Sequence, residues 1–184
     1  MKISTLVSTA LLLGTSGSAL AGGFVGLGIG SESRMDDGSG RFSSDGRSGK
    51  LFGGYQYPLA VGRIGAEASY TGYSLDRVGT TFDGRSIALA GRYNYPIADG
   101  FEVFGRLGIQ HTSLDANGMT MAGAGPLLSA GFEYHLPLKL PVNLAVYVDL
   151  SYLSQTLEST DSRGQVFEAD ADDRMVSLGV VVGF

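Results

Sequence analysis

Alternation between apolar residues and small or polar ones is the feature of this sequence that most limits its fold. From Val176 to Phe184 every second residue is large and apolar, and the residues between them are mostly small. A β-strand points successive side chains to opposite faces, so this stretch has one apolar face and one small face. Similar alternation recurs in eight segments, each of which we predict to be a strand. The segments are approximately 24–31, 49–57, 61–70, 86–95, 101–112, 127–136, 142–152 and 174–184.

The connections between these predicted strands alternate in length and composition. Those after the second, fourth and sixth strands are short and hold four of the five prolines. The other connections are long, polar and rich in Gly, Asp and Ser. Outer-membrane barrels have short periplasmic turns at one end and longer extracellular loops at the other. The sequence therefore predicts an all-β fold, an eight-stranded antiparallel up-and-down transmembrane β-barrel.

The competing interpretation is a soluble barrel with an apolar interior and a solvated outer wall. The small face of the predicted strands argues against it, because Gly, Ala and Ser dominate there and few long charged residues occur. A solvated wall would carry more Lys, Glu and Thr, whereas the narrow lumen of eight strands needs small residues mixed with a few large ones. We therefore expect the small face to line the lumen. We expect the apolar face to contact lipid and to carry no Asp, Glu, Lys or Arg, with His111 as its one titratable residue.

Eight charged residues fall on the predicted lumen face, four of each sign. They are Lys50, Arg63, Arg92, Arg106, Glu67, Glu102, Glu133 and Asp149. Buried charges are tolerated only when they are paired. Counting positions along the third to sixth strands places Glu67, Arg92, Arg106 and Glu133 near mid-height. We expect these four to form a connected cluster that plugs the lumen structurally; the alternative is a gate or a channel of small conductance.

The first 21 residues have the pattern of a cleaved signal peptide. Lys2 precedes an apolar core from Leu6 to Leu13, and Ala19-Leu20-Ala21 has the small-x-small form of a cleavage site. About ten apolar residues are too few for a spanning helix, which needs roughly 20. We expect cleavage after Ala21 and a single barrel domain at residues 22–184.

Composition excludes several other functions. The formal net charge of −5 argues against electrostatic nucleic-acid binding, and the absence of cysteine excludes disulfides and thiol chemistry. The last predicted loop, residues 155–174, is acidic, and its carboxylates at 170–173 are of the kind that bind divalent cations. They lack the spacing of an EF-hand, so we interpret them as a solvated acidic loop. We expect no cofactor and no metal.

Several stretches resemble small eight-stranded outer-membrane barrels of the OmpA-transmembrane and OmpX type. They are Gly22–Gly30, Lys50–Tyr57, Ala66–Tyr70 and the closing Gly183-Phe184. The resemblance implies a monomer in the lipid and lipopolysaccharide of a Gram-negative outer membrane. It also implies insertion by the barrel-assembly machinery, which in this group recognises a terminal strand ending in Phe, here Phe184. Because the sequence stops at this residue, we expect no periplasmic peptidoglycan-binding domain such as that of full-length OmpA.

Relatives in this group include adhesins, immune-evasion proteins and proteins of unknown role. The resemblance therefore implies a structural or surface-interaction role, with a host or cell-surface ligand contacted through the loops as a candidate partner. It does not imply catalysis.

One short motif raises the alternative of a lipid-modifying enzyme. His111-Thr-Ser113 is similar to the His-x-Ser pair of lipid A deacylases, whose site faces the membrane from the barrel's outer wall. A serine nucleophile needs a base, and the base needs an orienting acid. The facing positions of the sixth strand, Leu128, Ala130 and Phe132, offer no carboxylate, and the residues that usually follow the pair in that family are missing. We therefore expect no enzymatic activity.

Overall fold

The computed structural model describes residues 22–36, 45–77, 80–116, 119–160 and 166–184. The predicted signal peptide, residues 1–21, lies outside the described residues. The chain forms eight strands that close into one barrel. The strands are β1 (Gly22–Asp36), β2 (Asp45–Pro58), β3 (Arg63–Arg77), β4 (Thr80–Ala98), β5 (Phe101–Ala116), β6 (Met119–His135), β7 (Asn143–Thr160) and β8 (Val166–Gly183).

Neighbouring strands pair antiparallel in the order of the chain, which confirms the predicted fold class. The last strand pairs with β7 on one side and with β1 on the other, where Phe24 lies opposite Gly183 and Ser31 opposite Val176. Closure leaves the apolar C-terminal strand without a free edge, and a free edge of that kind recruits other chains. No helix among the described residues is long and apolar enough to cross a bilayer.

The strands β2, β4 and β6 end at one rim of the barrel, which we call the turn end. At the opposite rim the strands continue further than the sequence pattern predicts. The predicted last loop at 155–174 is wrong, because β7 and β8 stay paired up to Thr160 opposite Val166. At the turn end, β4 also continues past Pro96, with an irregular register between Pro96 and Ala98. Polar residues lie on both faces of β7 from Gln155 to Glu158, so the apolar period of two that predicts a strand is absent there.

The outer wall of the barrel is apolar over a central band only. Ile29 and Leu107 are 71% and 69% exposed, whereas Phe52 on the inner face is 3% exposed. The expectation that the outer face carries no Asp, Glu, Lys or Arg is wrong for the strand extensions. Beyond the band, the exposed outward residues include Arg47, Asp83, Arg85, Asp115, Glu158 and Arg174. These positions lie outside or at the very ends of the predicted strands.

Glycines inside the strands make room for aromatic rings in the lumen. A Cβ added at Gly26 would collide with the ring of Phe52, and one at Gly28 would collide with the Tyr147 hydroxyl. The same relation holds between other inward rings and glycines of neighbouring strands, namely Phe24 with Gly54, Phe104 with Gly131 and Tyr73 with Gly84. Each ring fills the space that a side chain would otherwise occupy, so glycine is needed where the lumen holds its largest residues.

Two of the turns depend on glycine for another reason. Gly62 and Gly100 have φ angles of 79° and 75°, in the left-handed region that side chains disfavour. The Leu59 amide donates to the Gly62 carbonyl at 2.9 Å, and the His135 amide donates to the Gly100 carbonyl at 2.7 Å. These bonds hold the turn end of the barrel together.

The match between rings and glycines predicts unequal effects of two valine substitutions. We expect Gly28→Val to lower the free energy of unfolding by about 1–3 kcal/mol, because the new side chain overlaps Tyr147. Gly49→Val is the matched control, since a Cβ there meets nothing within 4 Å and valine favours a strand. Urea unfolding in phospholipid vesicles, followed by circular dichroism, measures both. Equal destabilisation of the two variants would contradict the packing argument.

Candidate functional site

Among the residues whose side chains the structure describes, six charged ones lie buried inside the barrel, one on each strand from β2 to β7. All point inward because their strand parity is that of the small face, and each is at most 6% exposed. They are Lys50, Glu67, Arg92, Arg106, Glu133 and Asp149. Three are positive and three are negative, so the group is neutral as a whole. We call these six the lumen network.

Arg92 joins the two glutamates of the lumen network. Its Nη1 donates to Glu67 Oε2 at 2.8 Å, and its Nη2 donates to Glu133. The Nε donates to Asn94 Oδ1 at 2.8 Å, so all three guanidinium nitrogens have partners. The guanidinium carbon also lies 4.2 Å from the centre of the Phe104 ring, within the range of a cation–π contact.

Arg106 joins Glu67 to Asp149. Its Nη1 donates to Glu67 Oε1 at 2.5 Å, and its Nη2 donates to Asp149. Its Nε lies 3.2 Å from the Ser129 hydroxyl. Lys50 reaches Asp149 from the other side, with Nζ 3.6 Å from Oδ2. Each oxygen of Glu67 therefore accepts from a different arginine, and the six charges form one connected chain.

A second group of polar residues lies at the turn end of the lumen. Arg63 donates to Glu102 Oε2 at 2.5 Å, and His135 Nε2 lies 3.5 Å from the same oxygen. His135 also lies 3.6 Å from Glu133 Oε1. Asn94 connects the groups, because its Nδ2 donates to Glu102 at 2.8 Å and lies 3.3 Å from Glu133.

Ligand atoms of Glu102, Glu133 and His135 lie within 4.8 Å of one another, close enough to hold a metal ion. Arg63 adds a positive charge to this group, because its Nη2 donates to Glu102 Oε2 at 2.5 Å and lies 3.4 Å from His135 Nε2. A cation bound there would compete with the guanidinium for the Glu102 carboxylate.

The structure brings together the four residues singled out from the sequence, Glu67, Arg92, Arg106 and Glu133. The sequence count missed three further residues that connect to them. The sequence predicts that Lys50 and Asp149 face inward but not that they join the cluster, and it gives Asn94, which is 0% exposed, inward parity without singling it out. The inward parity of Asn94 among small residues was the one signal that could have found it.

Aromatic side chains fill the space around the lumen network. Phe24, Phe52, Phe104 and Tyr147 form one buried cluster with Ala145 and Val181. The Phe52 and Tyr147 rings meet edge to face, with centres 5.3 Å apart. A second buried cluster of Tyr73, Leu114 and Leu157 lies towards the opposite end of the barrel.

His111 and Ser113 lie on the outer wall, and nothing described beside them completes a catalytic triad. His111 is exposed opposite Ile87 and Ala124, and Ser113 lies opposite Arg85 and Ala122. The nearest outward carboxylate of the same strand, Asp115, is four residues from His111, about 13 Å along the strand.

Asp115 is already bound by other groups. It accepts from the Thr120 hydroxyl at 2.6 Å and lies 3.9 Å from the guanidinium of Arg85. Its position and these contacts leave the imidazole of His111 without an orienting acid among the described residues.

Comparison with known proteins agrees with this architecture. The sequence profile of the family described as "Outer membrane protein beta-barrel domain" matches residues 7–184. The chain belongs to this family. It is thus a protein of the Gram-negative outer membrane, and the apolar band of its wall faces lipid. A search of curated protein sequences found no match.

Solved structures of other small barrels share the fold. The Neisserial surface protein A matches with a TM-score of 0.60 and 20% identity, over 88% of this chain and 97% of that one. Ail, the attachment invasion locus protein of Yersinia pestis, solved with the heparin analogue sucrose octasulfate, matches with a TM-score of 0.59 and 15% identity, over 90% of this chain and 100% of that one. The outer membrane enzyme PagL matches with a TM-score of 0.51 and 12% identity, over 85% of this chain and 97% of that one. At these identities the likeness extends to the fold alone.

Because its ion pairs are buried, the lumen network predicts that replacing one of its arginines destabilises the barrel far more than replacing an exposed arginine. We expect Arg92→Met to lower the free energy of unfolding by about 3–5 kcal/mol, because it leaves Glu133 buried without its arginine. Arg85→Met is the control. Arg85 also pairs with an aspartate, but its side chain is 63% exposed, so we expect a loss of at most about 1 kcal/mol.

Urea unfolding in phospholipid vesicles measures both variants against the unchanged protein. A loss for Arg92→Met no larger than that for Arg85→Met would mean that the buried pairs contribute nothing to stability.

Proposed function

We propose that this protein is a non-enzymatic barrel with a side-chain-filled lumen, which contacts molecules at the cell surface through its extracellular hairpins. The observation that carries the proposal is where its charges lie. Inside, the six charged side chains of the lumen network form ion pairs with one another. Outside, exposed charges cluster on the strand extensions opposite the turn end, which are extracellular in barrels of this kind.

A structural plug accounts for the lumen better than a channel does. The guanidinium of Arg92 lies against Phe104 and Phe24, with centroid distances of 4.2 and 5.2 Å, so charge and ring pack directly on each other. An aqueous pore would need inward charges with free faces turned to water. Here Asn94, Thr112, Asp149 and Ser177 are all less than 2% exposed.

The extracellular extensions offer a surface of mixed charge. Arg47, Arg85 and Arg174 are exposed there together with Asp83, Asp115 and Glu158. Ail was solved with a sulfated heparin analogue. The net charge of −5 of the present chain argues against a polyanion as its partner and favours a neutral or cationic surface on another cell.

The remaining partners follow from the setting of the barrel. We propose that it is a monomer whose apolar band contacts phospholipid and lipopolysaccharide acyl chains, and that Phe184 serves the barrel-assembly machinery as the insertion signal. Phe184 is exposed on the outer wall, and its amide donates to the Gly23 carbonyl at 2.9 Å. Its ring is thus available to an assembly factor while its backbone helps to close the barrel.

Shortening one hairpin tests the surface role. Replacing residues 159–167 by Asn-Gly joins the paired residues Glu158 and Glu168 through a two-residue turn and keeps the buried Leu157. We expect the variant to reach the outer membrane, and cells that produce it to adhere to other cells no better than cells without the protein. Lys139→Gln, on a turn at the other end, is the control and should keep wild-type adherence.

Adherence counts together with surface labelling of the barrel measure this outcome. Wild-type adherence by the shortened variant, at equal barrel levels, would remove the β7–β8 hairpin from the proposed function.

The enzymatic alternative rests on His111 and Ser113 sharing the outer face. We expect lipid A from cells with and without the protein to carry the same acyl chains in mass spectra. An acyl chain that is lost when the protein is present, and retained with Ser113→Ala but not with the control Ser74→Ala, would establish the deacylase instead. Ser74 is exposed on the same wall, bonded to Asp83 at 3.0 Å.

A further inference from the structure

The three turns between strands at the turn end are unusually apolar for segments that would project into the periplasm. Turns in water are ordinarily built from Gly, Pro, Asn, Asp and Ser. Here residues 58–62, 96–100 and 136–142, which include the last residues of β2 and β4, contain only two charged residues, Asp99 and Lys139. Their exposed apolar side chains are Leu59, Val61, Ile97, Leu138, Leu140 and Val142.

These side chains continue the lipid-facing wall without a break. The aromatic residues Tyr57, Tyr95, Phe101 and Phe184 are exposed at the turn end, where a membrane barrel carries an interfacial girdle. The apolar turn residues lie beyond this girdle, further from the middle of the band. A turn projecting into water would interrupt the apolar surface at the girdle, and these turns extend it.

The height of the wall shows why the turns are needed. A strand rises about 3.3 Å per residue, and a tilt of about 40° leaves about 2.5 Å of membrane depth per residue. The outward apolar residues of β2, from Leu51 to Tyr57, then cover about 15 Å, and so do those of β3, from Tyr70 to Ile64, against an apolar band of about 25 Å in such barrels.

On β2 and β3 the apolar band does not extend towards the extracellular end. Above Leu51 the outward residues are Gly49 and the exposed Arg47, and above Tyr70 they are Gly72 and the exposed Ser74. Adding Leu59 and Val61 brings the two strands to about 20 and 23 Å. On these two strands the missing depth is therefore found in the turn that joins them.

Part of the turn backbone finds partners within the protein, as polar backbone groups next to lipid must. The Leu59 amide donates to the Gly62 carbonyl at 2.9 Å, and the Val61 carbonyl accepts from the Tyr93 hydroxyl at 2.9 Å. In the third turn the Leu138 amide donates to the Leu136 carbonyl at 2.7 Å. Tyr93 belongs to the outer wall, so its hydroxyl ties the first turn to the lipid-facing surface.

We infer that the apolar side chains of the three turns are immersed in the inner leaflet of the outer membrane, with phospholipid as their partner. Asp99 and Lys139 then lie at the level of the phospholipid headgroups. The barrel sits further from the periplasm than its girdle aromatics alone would place it. A protein docked on these turns from the periplasm is the competing occupant, which the experiment below distinguishes.

Single-cysteine labelling tests the immersion directly, because the chain contains no cysteine of its own. Spin labels are placed one at a time at Leu59→Cys, Ile97→Cys and Leu138→Cys in the full barrel, folded into phosphatidylethanolamine and phosphatidylglycerol vesicles. Leu107→Cys, in the middle of the lipid-facing wall, is the lipid control, and Glu158→Cys, on an exposed extension, is the water control. Heat-modifiable migration in gels verifies that each variant is folded.

Collision rates with oxygen and with a water-soluble nickel chelate then report the surroundings of each label. We expect the turn labels to resemble Leu107→Cys, with oxygen collisions dominant, and to gain nickel access in vesicles of thinner, short-chain lipid while Leu107→Cys stays protected. Nickel access at the turns equal to that of Glu158→Cys in vesicles of normal thickness would overturn the inference. In that case the apolar turns face the periplasm and would require a protein partner.

Discussion

The narrow lumen of an eight-stranded barrel is the constraint on which the rest of this structure depends. Such a lumen is only wide enough for side chains to fill it, so water cannot solvate a charge placed there. Every inward charge must therefore pair with a charge on another strand. Every inward aromatic ring must lie where another residue leaves space for it. The lumen network meets the first demand, and the glycines opposite Phe52 and Tyr147 meet the second.

The inward charges sum to zero, but the strand register does not place opposite charges next to each other. Arg92 lies directly opposite Arg106 on the neighbouring strand, and Glu102 directly opposite Glu133. Like charges in such positions repel. Glu67 resolves the first conflict by placing one oxygen on each arginine. The guanidinium groups suit this role because their nitrogens spread in a planar fork, which a lysine cannot reproduce.

This arrangement specifies the fold more than it stabilises it. Removing one member of a buried ion pair costs several kcal/mol, yet replacing a whole pair by apolar residues is often neutral. A slip of one residue between strands, however, would turn every inward charge towards lipid. The network therefore penalises wrong registers heavily, and it does so on six consecutive strands.

The sequence could predict the central barrel because each strand there has one face towards lipid and the other towards a crowded lumen. The two faces select different residues, so the period of two is visible from β1 to β8, and the parity of Glu67 or Arg106 follows from it. The strand extensions could not be predicted in this way. Both of their faces lie outside the lipid, so residues such as Thr156 and Glu158 carry no sign of the strand they belong to. The pairing of Lys50 with Asp149 could not be predicted for a different reason, since it depends on the stagger between strands, which a position count within each strand does not contain.

The same difference between band and extensions explains where this barrel can vary. Within the band, a substitution has to satisfy lipid on one side and the lumen on the other. In the extensions the main-chain ladder continues to Thr160 opposite Val166, and exposed side chains pair with one another, as Ser74 does with Asp83 and Arg85 with Asp115. The small cluster of Tyr73, Leu114 and Leu157 fills the lumen there and joins three strands. Outward residues of the extensions are free of the lipid constraint while the ladder holds their backbone, and those are the conditions under which a surface evolves to recognise other molecules.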